Sequence, residues 1–237
     1  MQPGILYVVA TPIGNLADIS ERAKSALAEC DLVACEDTRV TGGLLGKLGI
    51  KKTMFVNENS REKSAAPALL EKLIEGKNIA LLSDAGTPCI SDPGFRIVRE
   101  CRRAGIKVVP IPGACAFISA LCASGLPSDS FLFAGFLPPK TSARKAFFEK
   151  YADFPHTLIF YESPYRIEKF ADDDTATSAL LLPKGRGICS SGLPGFIGSR
   201  SMRTAKWFRK GKSIVSYINM YCIIWKCAKC FLTRSSH

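Results

Sequence analysis

Apolar residues along this chain fall into short continuous runs, separated by stretches in which apolar positions recur every three or four residues. The runs Ile5 to Val9, Asp31 to Cys35, Thr53 to Val56, Asn78 to Leu82 and Lys107 to Ile111 have strand length and bury best on both faces. Between and after them, Ile19 to Glu29, Thr41 to Leu48, Ala66 to Glu75, Phe95 to Ala104 and Cys115 to Ala123 carry helical spacing. In Ala66 to Glu75 the stripe is Leu69, Leu70, Leu73 and Ile74, while Glu71, Lys72 and Glu75 face water. Pro67 marks its start and Gly76 its end. The alternation predicts an α/β domain over residues 1–124, a parallel sheet doubly wound with helices on both faces.

A hinge at 125–129 (Gly125, Leu126, Pro127, Ser128) leads to a second α/β domain over 130–174. Its predicted strands are Phe131 to Phe136 and Thr157 to Tyr161, with helices Ser142 to Lys150 and Tyr165 to Ala171. Two strands cannot cover a sheet face alone, so this domain is read as incomplete.

Charge changes the picture at the carboxyl end. Of the net +11, residues 171–237 carry +8, and after Asp174 no Asp or Glu occurs for 63 residues. That segment also loses helical periodicity, and 175–237 is read as an atypical basic tail, foreign to the preceding domain, from a frameshifted or otherwise aberrant end. A basic arm that binds nucleic acid is the competing reading. Of ten cysteines, Cys30, Cys35, Cys89, Cys101, Cys115 and Cys122 lack framework spacing and are read as reduced thiols of a cytoplasmic protein. Cys227 and Cys230 form one CxxC near Cys222 and His237, an incomplete set for zinc, and no metal is assigned. The start lacks the pattern of a signal peptide, and Ser213 to Trp225 is too short to cross a bilayer, so no membrane partner is expected.

The densest chemistry lies in LSDAGTPCISDPG, Leu82 to Gly94, directly after a buried strand, where open α/β sheets place ligands. Gly86 and Gly94 free the backbone, Pro88 and Pro93 fix it, and Asp84 and Asp92 add carboxylates. The turn after the first strand, Ala10 to Asn15, has neither GxGxxG nor GxxxxGK[ST], which argues against nicotinamide and nucleoside triphosphate sites.

Six segments in order, LYVVATPIGNLADIS, CEDTRVT, LLSDAGTPCISDPG, VVPIPGACA, SGLPSDSFLFAGFLP and TLIFYESPYR, resemble the ribosomal RNA small subunit methyltransferase I family, within the tetrapyrrole methylase superfamily. The resemblance ends near Phe170. It implies a two-domain enzyme with S-adenosylmethionine in the interdomain cleft, a homodimer that methylates the 2′-hydroxyl of a cytidine ribose in the decoding region of 16S rRNA on the small ribosomal subunit. Carried over by motif, the cofactor-facing residues are Ile13, Ser83, Asp84, Thr87, Cys115, Ala116 and Glu162, several through backbone groups. Candidates for taking the hydroxyl proton are Asp92, Glu58, Glu36 and Asp37, and candidates for RNA contact are Arg39, Lys140, Arg144, Lys145 and Arg166.

Plainer roles compete with these. Asp37 or Asp92 serves as a helix cap, Glu36 pairs with Arg39, and the Lys140 to Lys145 run is a solvated helix face. In that family an HxHN-like segment follows the third strand; Val56, Asn57, Glu58 and Asn59 stand here instead, without either histidine. The alternatives for the whole chain are a tetrapyrrole methyltransferase and an inactive RNA-binding remnant.

Overall fold

The computed structural model of the chain describes residues 2–163, 165–166, 213–217 and 220–225. Two compact units form, Met1–Cys115 and a second from Ala116 onward, so the helix expected to close the first domain falls in the second.

The first unit runs β1 (Leu6–Val9), α1 (Glu21–Glu29), β2 (Leu32–Cys35), α2 (Thr38–Lys47), β3 (Thr53–Val56), α3 (Glu62–Ile74), β4 (Ile79–Leu82), α4 (Phe95–Arg103) and β5 (Val108–Ile111). All five strands are parallel, in the order β3-β2-β4-β1-β5. Strand alternation divides their side chains between two cores. Val9, Val33, Cys35, Ala80 and Leu82 pack with α1 and α2 through Ala23, Leu27 and Leu45. Leu6, Ala34, Ile79 and Leu81 pack with α3 and α4 through Leu69, Leu73, Ile97 and Cys101. The strands β2 and β4 are buried at all four positions, as central parallel strands covered on both faces must be.

Capping fixes where the helices begin. The Ser20 hydroxyl accepts from the Ala23 N–H at 3.1 Å at the head of α1, and the Asp37 carboxylate accepts from the Arg39 N–H at 2.8 Å at the head of α2. α3 starts a turn before the predicted position and takes Pro67 into its interior. That is tolerable because Pro67 is exposed, so the carbonyl left without an N–H faces water. Of the predicted stripe, Leu69 and Leu73 are fully buried, whereas Ile74 is exposed.

The second unit comprises α5 (Ala116–Ser124), β6 (Phe131–Phe136), α6 (Thr141–Lys150), β7 (Thr157–Glu162), β8 (Ser213–Tyr217) and β9 (Met220–Trp225). Among the described residues its sheet has four strands, β6-β7-β9-β8, with β6 parallel to β7, β9 antiparallel to β7 and β8 antiparallel to β9. The expectation of two strands alone is corrected: the apolar run 213–225 from the basic tail folds back on itself and continues the sheet. An aromatic cluster supports β6 and β7, with Phe117 stacked on Phe133 at 4.3 Å and Tyr161 edge-on to Phe133 at 4.8 Å. The Thr157 hydroxyl donates to the Pro127 carbonyl at 2.6 Å and ties the predicted hinge to β7. Most of the predicted helix Tyr165 to Ala171, and of the tail outside β8 and β9, lies outside the described residues. Among the described residues no helix is long and apolar enough to cross a membrane.

Candidate functional site

The carboxyl ends of β1, β4 and β5 are joined by short polar links. Thr11, after β1, exchanges two backbone hydrogen bonds with Gly86, at 2.8 and 3.1 Å, and its buried hydroxyl donates toward the Ser83 carbonyl at 3.2 Å. The Ser83 hydroxyl donates to the Gly86 carbonyl at 3.2 Å, and the Thr87 hydroxyl donates to Ala114, after β5, at 3.0 Å. Thr11 is therefore a second anchor of this loop, unnoticed in the sequence because a Thr after a strand has no distinctive spacing. Of the predicted cofactor residues, Ser83 uses its hydroxyl to brace its own loop and Thr87 uses its hydroxyl to join two loops, which leaves backbone groups to face a ligand.

Close approach explains the glycines. A Cβ on Gly113 would lie 2.9 Å from the Ala10 Cβ, and one on Gly94, at φ 136°, would lie 2.8 Å from both the Cys89 Sγ and a Leu81 methyl. Cys89 and Ser91 also take positive φ, 71° and 64°. Two such residues in one loop store strain, a pattern that clusters at functional sites. Ile13 is buried with its Cγ2 against Gly86; Cys115 is half-buried and ends the first unit; Ala116 is buried at the first position of α5.

The carboxylates separate by role. Asp37 caps α2 and is gripped by Arg39, whose guanidinium holds it down at about 2. The predicted Glu36–Arg39 pair is thus replaced, because Arg39 turns to the nearer Asp37. Glu58 is engaged locally by Arg61 at 3.0 Å and Ser60 at 3.0 Å. Asp84 accepts from the Asp37 N–H at 3.1 Å, linking the β4 and β2 loops; burial raises its pKa. Burial, then the charges of Asp84, Glu58 and Asp37, raises Glu36 as well.

Asp92 is the extreme case. Burial first, then Glu36 and Asp84, pushes it up to about 7, with the Ser83 hydroxyl pulling the other way. It does not cap α4. Gly94 is the N-cap, and Glu62, at the start of α3, accepts from the N–H groups of Gly94 and Arg96 at 2.9 Å each. Sequence reasoning missed Glu62 because its partners lie more than thirty residues away.

In the second unit, Glu162 is 1% exposed at the end of β7. Its Oε1 accepts from the Ser163 N–H at 2.6 Å and from Arg166 at 2.9 Å, while its buried Oε2 has no partner among the described residues. Two candidates for RNA contact depart from expectation. Arg144 is buried, its guanidinium donating to the carbonyls of Pro138 and Pro139 and to Thr141, and Arg166 is committed to Glu162. Arg39 and Lys140 are exposed, and Lys145 is half-exposed.

Residues 5–179 match the Tetrapyrrole (Corrin/Porphyrin) Methylases family. The chain belongs to the tetrapyrrole methylase family. Within it, this methylase is 59% identical over 170 residues to a protein named "Ribosomal RNA small subunit methyltransferase I" from Haemophilus influenzae, and 54% identical over 173 residues to one of the same name from Escherichia coli O157:H7. The first match covers 72% of this chain and the second 73%; each covers 60% of the relative. The methylase thus spans well under two thirds of the length of these relatives. Among solved structures it is similar to a diphthine synthase, with TM-score 0.59 and 18% identity over 75% of this chain and 73% of that one. It is also similar to the methyltransferase CobJ, with TM-score 0.57 and 19% identity over 76% and 78%. At such identities the likeness speaks for the fold alone.

Proposed function

We propose that this methylase transfers a methyl group from S-adenosylmethionine to the 2′-hydroxyl of a cytidine ribose in the decoding region of 16S rRNA, in the cytoplasm and as a homodimer. The observation that carries the proposal is a half-buried carboxylate, Asp92, held near neutral pKa beside loops in which the Thr11, Ser83 and Thr87 hydroxyls are turned inward onto carbonyls. High identity to relatives named for small-subunit rRNA methylation favours RNA over a tetrapyrrole substrate.

The loops after β1, β4 and β5 suit the donor: their side chains are tied down, and a small-residue backbone at Gly86, Gly113 and Ala114 lines their meeting point. Ile13, Ser83, Asp84, Thr87, Cys115 and Ala116 would hold it, mainly through peptide groups. In the second unit, the Oε2 of Glu162, which has no partner among the described residues, would accept from a ligand N–H or O–H. Bound S-adenosylmethionine supplies a methyl on a positive sulfonium, which leaves as a neutral thioether.

The chain's own task is orientation and proton removal. Holding the oxygen, methyl carbon and sulfur in line is worth on the order of 7–11 kcal/mol, while a positioned base adds about 10²–10⁴-fold. Asp92 is assigned as that base, because Asp37 and Glu58 are occupied by Arg39 and Arg61. A base with a value of about 7 is half ionised at neutral pH and still takes a proton from a hydroxyl being alkylated. Arg39, Lys140 and Lys145 remain as phosphate contacts, which set register without reading sequence. The test is incubation of the full chain with S-adenosylmethionine and small ribosomal subunits lacking the modification, followed by mass mapping of the RNA. One new ribose methyl on a cytidine is expected; RNA binding without any transfer would show a binding remnant instead.

A further inference from the structure

Strand register brings together a row of polar groups that the proposed methyl transfer does not fully use. Val56 pairs with Cys35, and Ala34 with Leu81, so the residues just beyond, Asn57, Glu36 and Ser83, lie side by side across β3, β2 and β4. The backbone bond from the Asn57 N–H to the Cys35 carbonyl, at 2.7 Å, carries the β3 ladder through Asn57. Alternation sends all three side chains to one face. Phe55, Ala34 and Leu81 pack toward α3 and α4, and Asn57, Glu36 and Ser83 are each two residues further on. Asp92 joins the row through Ser83 and the field of Glu36.

Asn57 is the anomaly. It is 1% exposed, yet neither its Oδ1 nor its Nδ2 has a partner among the described residues. Native buried amides are almost always satisfied, so a wholly unpaired one calls for an occupant. A metal ion is a poor candidate, since among the described residues no group of three His, Cys, Asp or Glu is placed to hold one. An amide presents one acceptor beside two donors, and here a carboxylate stands on the neighbouring strand. An exocyclic amine next to a ring acceptor answers that combination, and a carboxylate accepts from the cytosine N4 amine while repelling a carbonyl in its place.

We infer that Asn57 and Glu36 form a base-reading pair for a cytosine edge, Asn57 Nδ2 donating to the ring acceptor and Glu36 accepting from the amine. The assignment rests on the proposed RNA methylation and deepens it. Because Asn57 is 1% exposed, a base reaches it only when the groups covering it give way. Asn57 is a specificity residue, distinct from the Asp92 that takes the proton.

The experiment uses the full chain and two readouts. In the unmodified protein, the side-chain amide resonances of Asn57 are followed by NMR during titration with cytidine 5′-monophosphate and, separately, uridine 5′-monophosphate. Selective displacement by the cytidine nucleotide is expected. Equal displacement by both, or by neither, overturns the inference. In Asn57→Ser and Asn57→Leu, methylation of RNA hairpins with cytidine or uridine at the target is compared. The preference for cytidine should fall about tenfold, through KM rather than kcat. An unchanged preference in either folded variant contradicts the inference. Should the unmodified protein methylate no ribose while Asn57 still selects the cytidine nucleotide, the methyl-transfer reading fails and the base pocket stands.

Discussion

The two halves of the first sheet's rim are built on opposite plans. On the β4–β1–β5 side, Thr11 and Thr87 direct their hydroxyls at carbonyls of the neighbouring loop, Ser83 directs its own at Gly86 within its loop, and the glycines pack against backbone or core atoms. On the β3–β2–β4 side, burial first and neighbouring carboxylates second raise the pKa of Glu36, Asp84 and Asp92, and Asn57 has no partner among the described residues. One half is satisfied and shaped; the other is left in tension. The contrast teaches that holding a cofactor by its outline needs rigid loops, whereas removing a proton needs groups kept from their preferred ionisation state.

The comparison breaks most visibly at Asp92. Asp92→Asn should lower kcat for methyl transfer by about 10²–10⁴-fold with cofactor affinity retained, as measured by single-turnover kinetics and titration. In the unmodified protein the same rate should rise with pH through a midpoint near 7. A pH-independent rate would remove Asp92 from the chemistry.

On the shaped side, Gly94→Ala should destabilise the chain by about 2–4 kcal/mol in urea unfolding, since its Cβ meets Leu81 and Cys89 at 2.8 Å and φ is 136°.

The strained side makes the opposite prediction for stability. Asp92 folds with a value of about 7 against an ordinary 3.8, so the folded state binds its proton more tightly than the unfolded chain. That contribution is complete below about pH 4 and lost as pH rises through about 7. Asp92→Asn should therefore be more stable than the parent at pH 8, by roughly 1–2 kcal/mol after allowing for partial solvent screening, and no more stable at pH 4. A smaller effect is expected for Thr87→Val, about 1 kcal/mol of stability, with cofactor affinity reduced more than kcat. Equal losses in both would mean that Thr87 does more than tie two loops.

Local signals carried most of this architecture. The five parallel strands were legible as apolar runs, and α4, β6 and β7 lie within a residue of their predicted limits, because alternation and capping act over a few positions. What required the fold was longer in reach. Glu62 caps α4 from the head of another helix, Arg144 turns inward onto Pro138 and Pro139, and β8–β9 pairs with a strand some sixty residues earlier. The tail's charge imbalance pointed away from regular structure, yet the apolar run 213–225 needed only a sheet edge to pair with. At the site, the loop Leu82–Gly94 announced itself through Gly, Pro and Asp, but the division of labour between its carboxylates and those of the β2 and β3 loops depended on Arg39 and Arg61 reaching Asp37 and Glu58. Asn57 was visible only as a departure from a motif; its isolation belongs to the register of three strands.

The central claim is that the satisfied half of the rim grips a sulfonium nucleoside by its peptide groups. Isothermal titration of the folded, monodisperse full chain with S-adenosylmethionine and with its demethylated product tests it directly. The account predicts saturable heat with one site per chain for both, weakened in Thr87→Val and retained in Asp92→Asn. Absence of binding by either compound to the folded protein would contradict it.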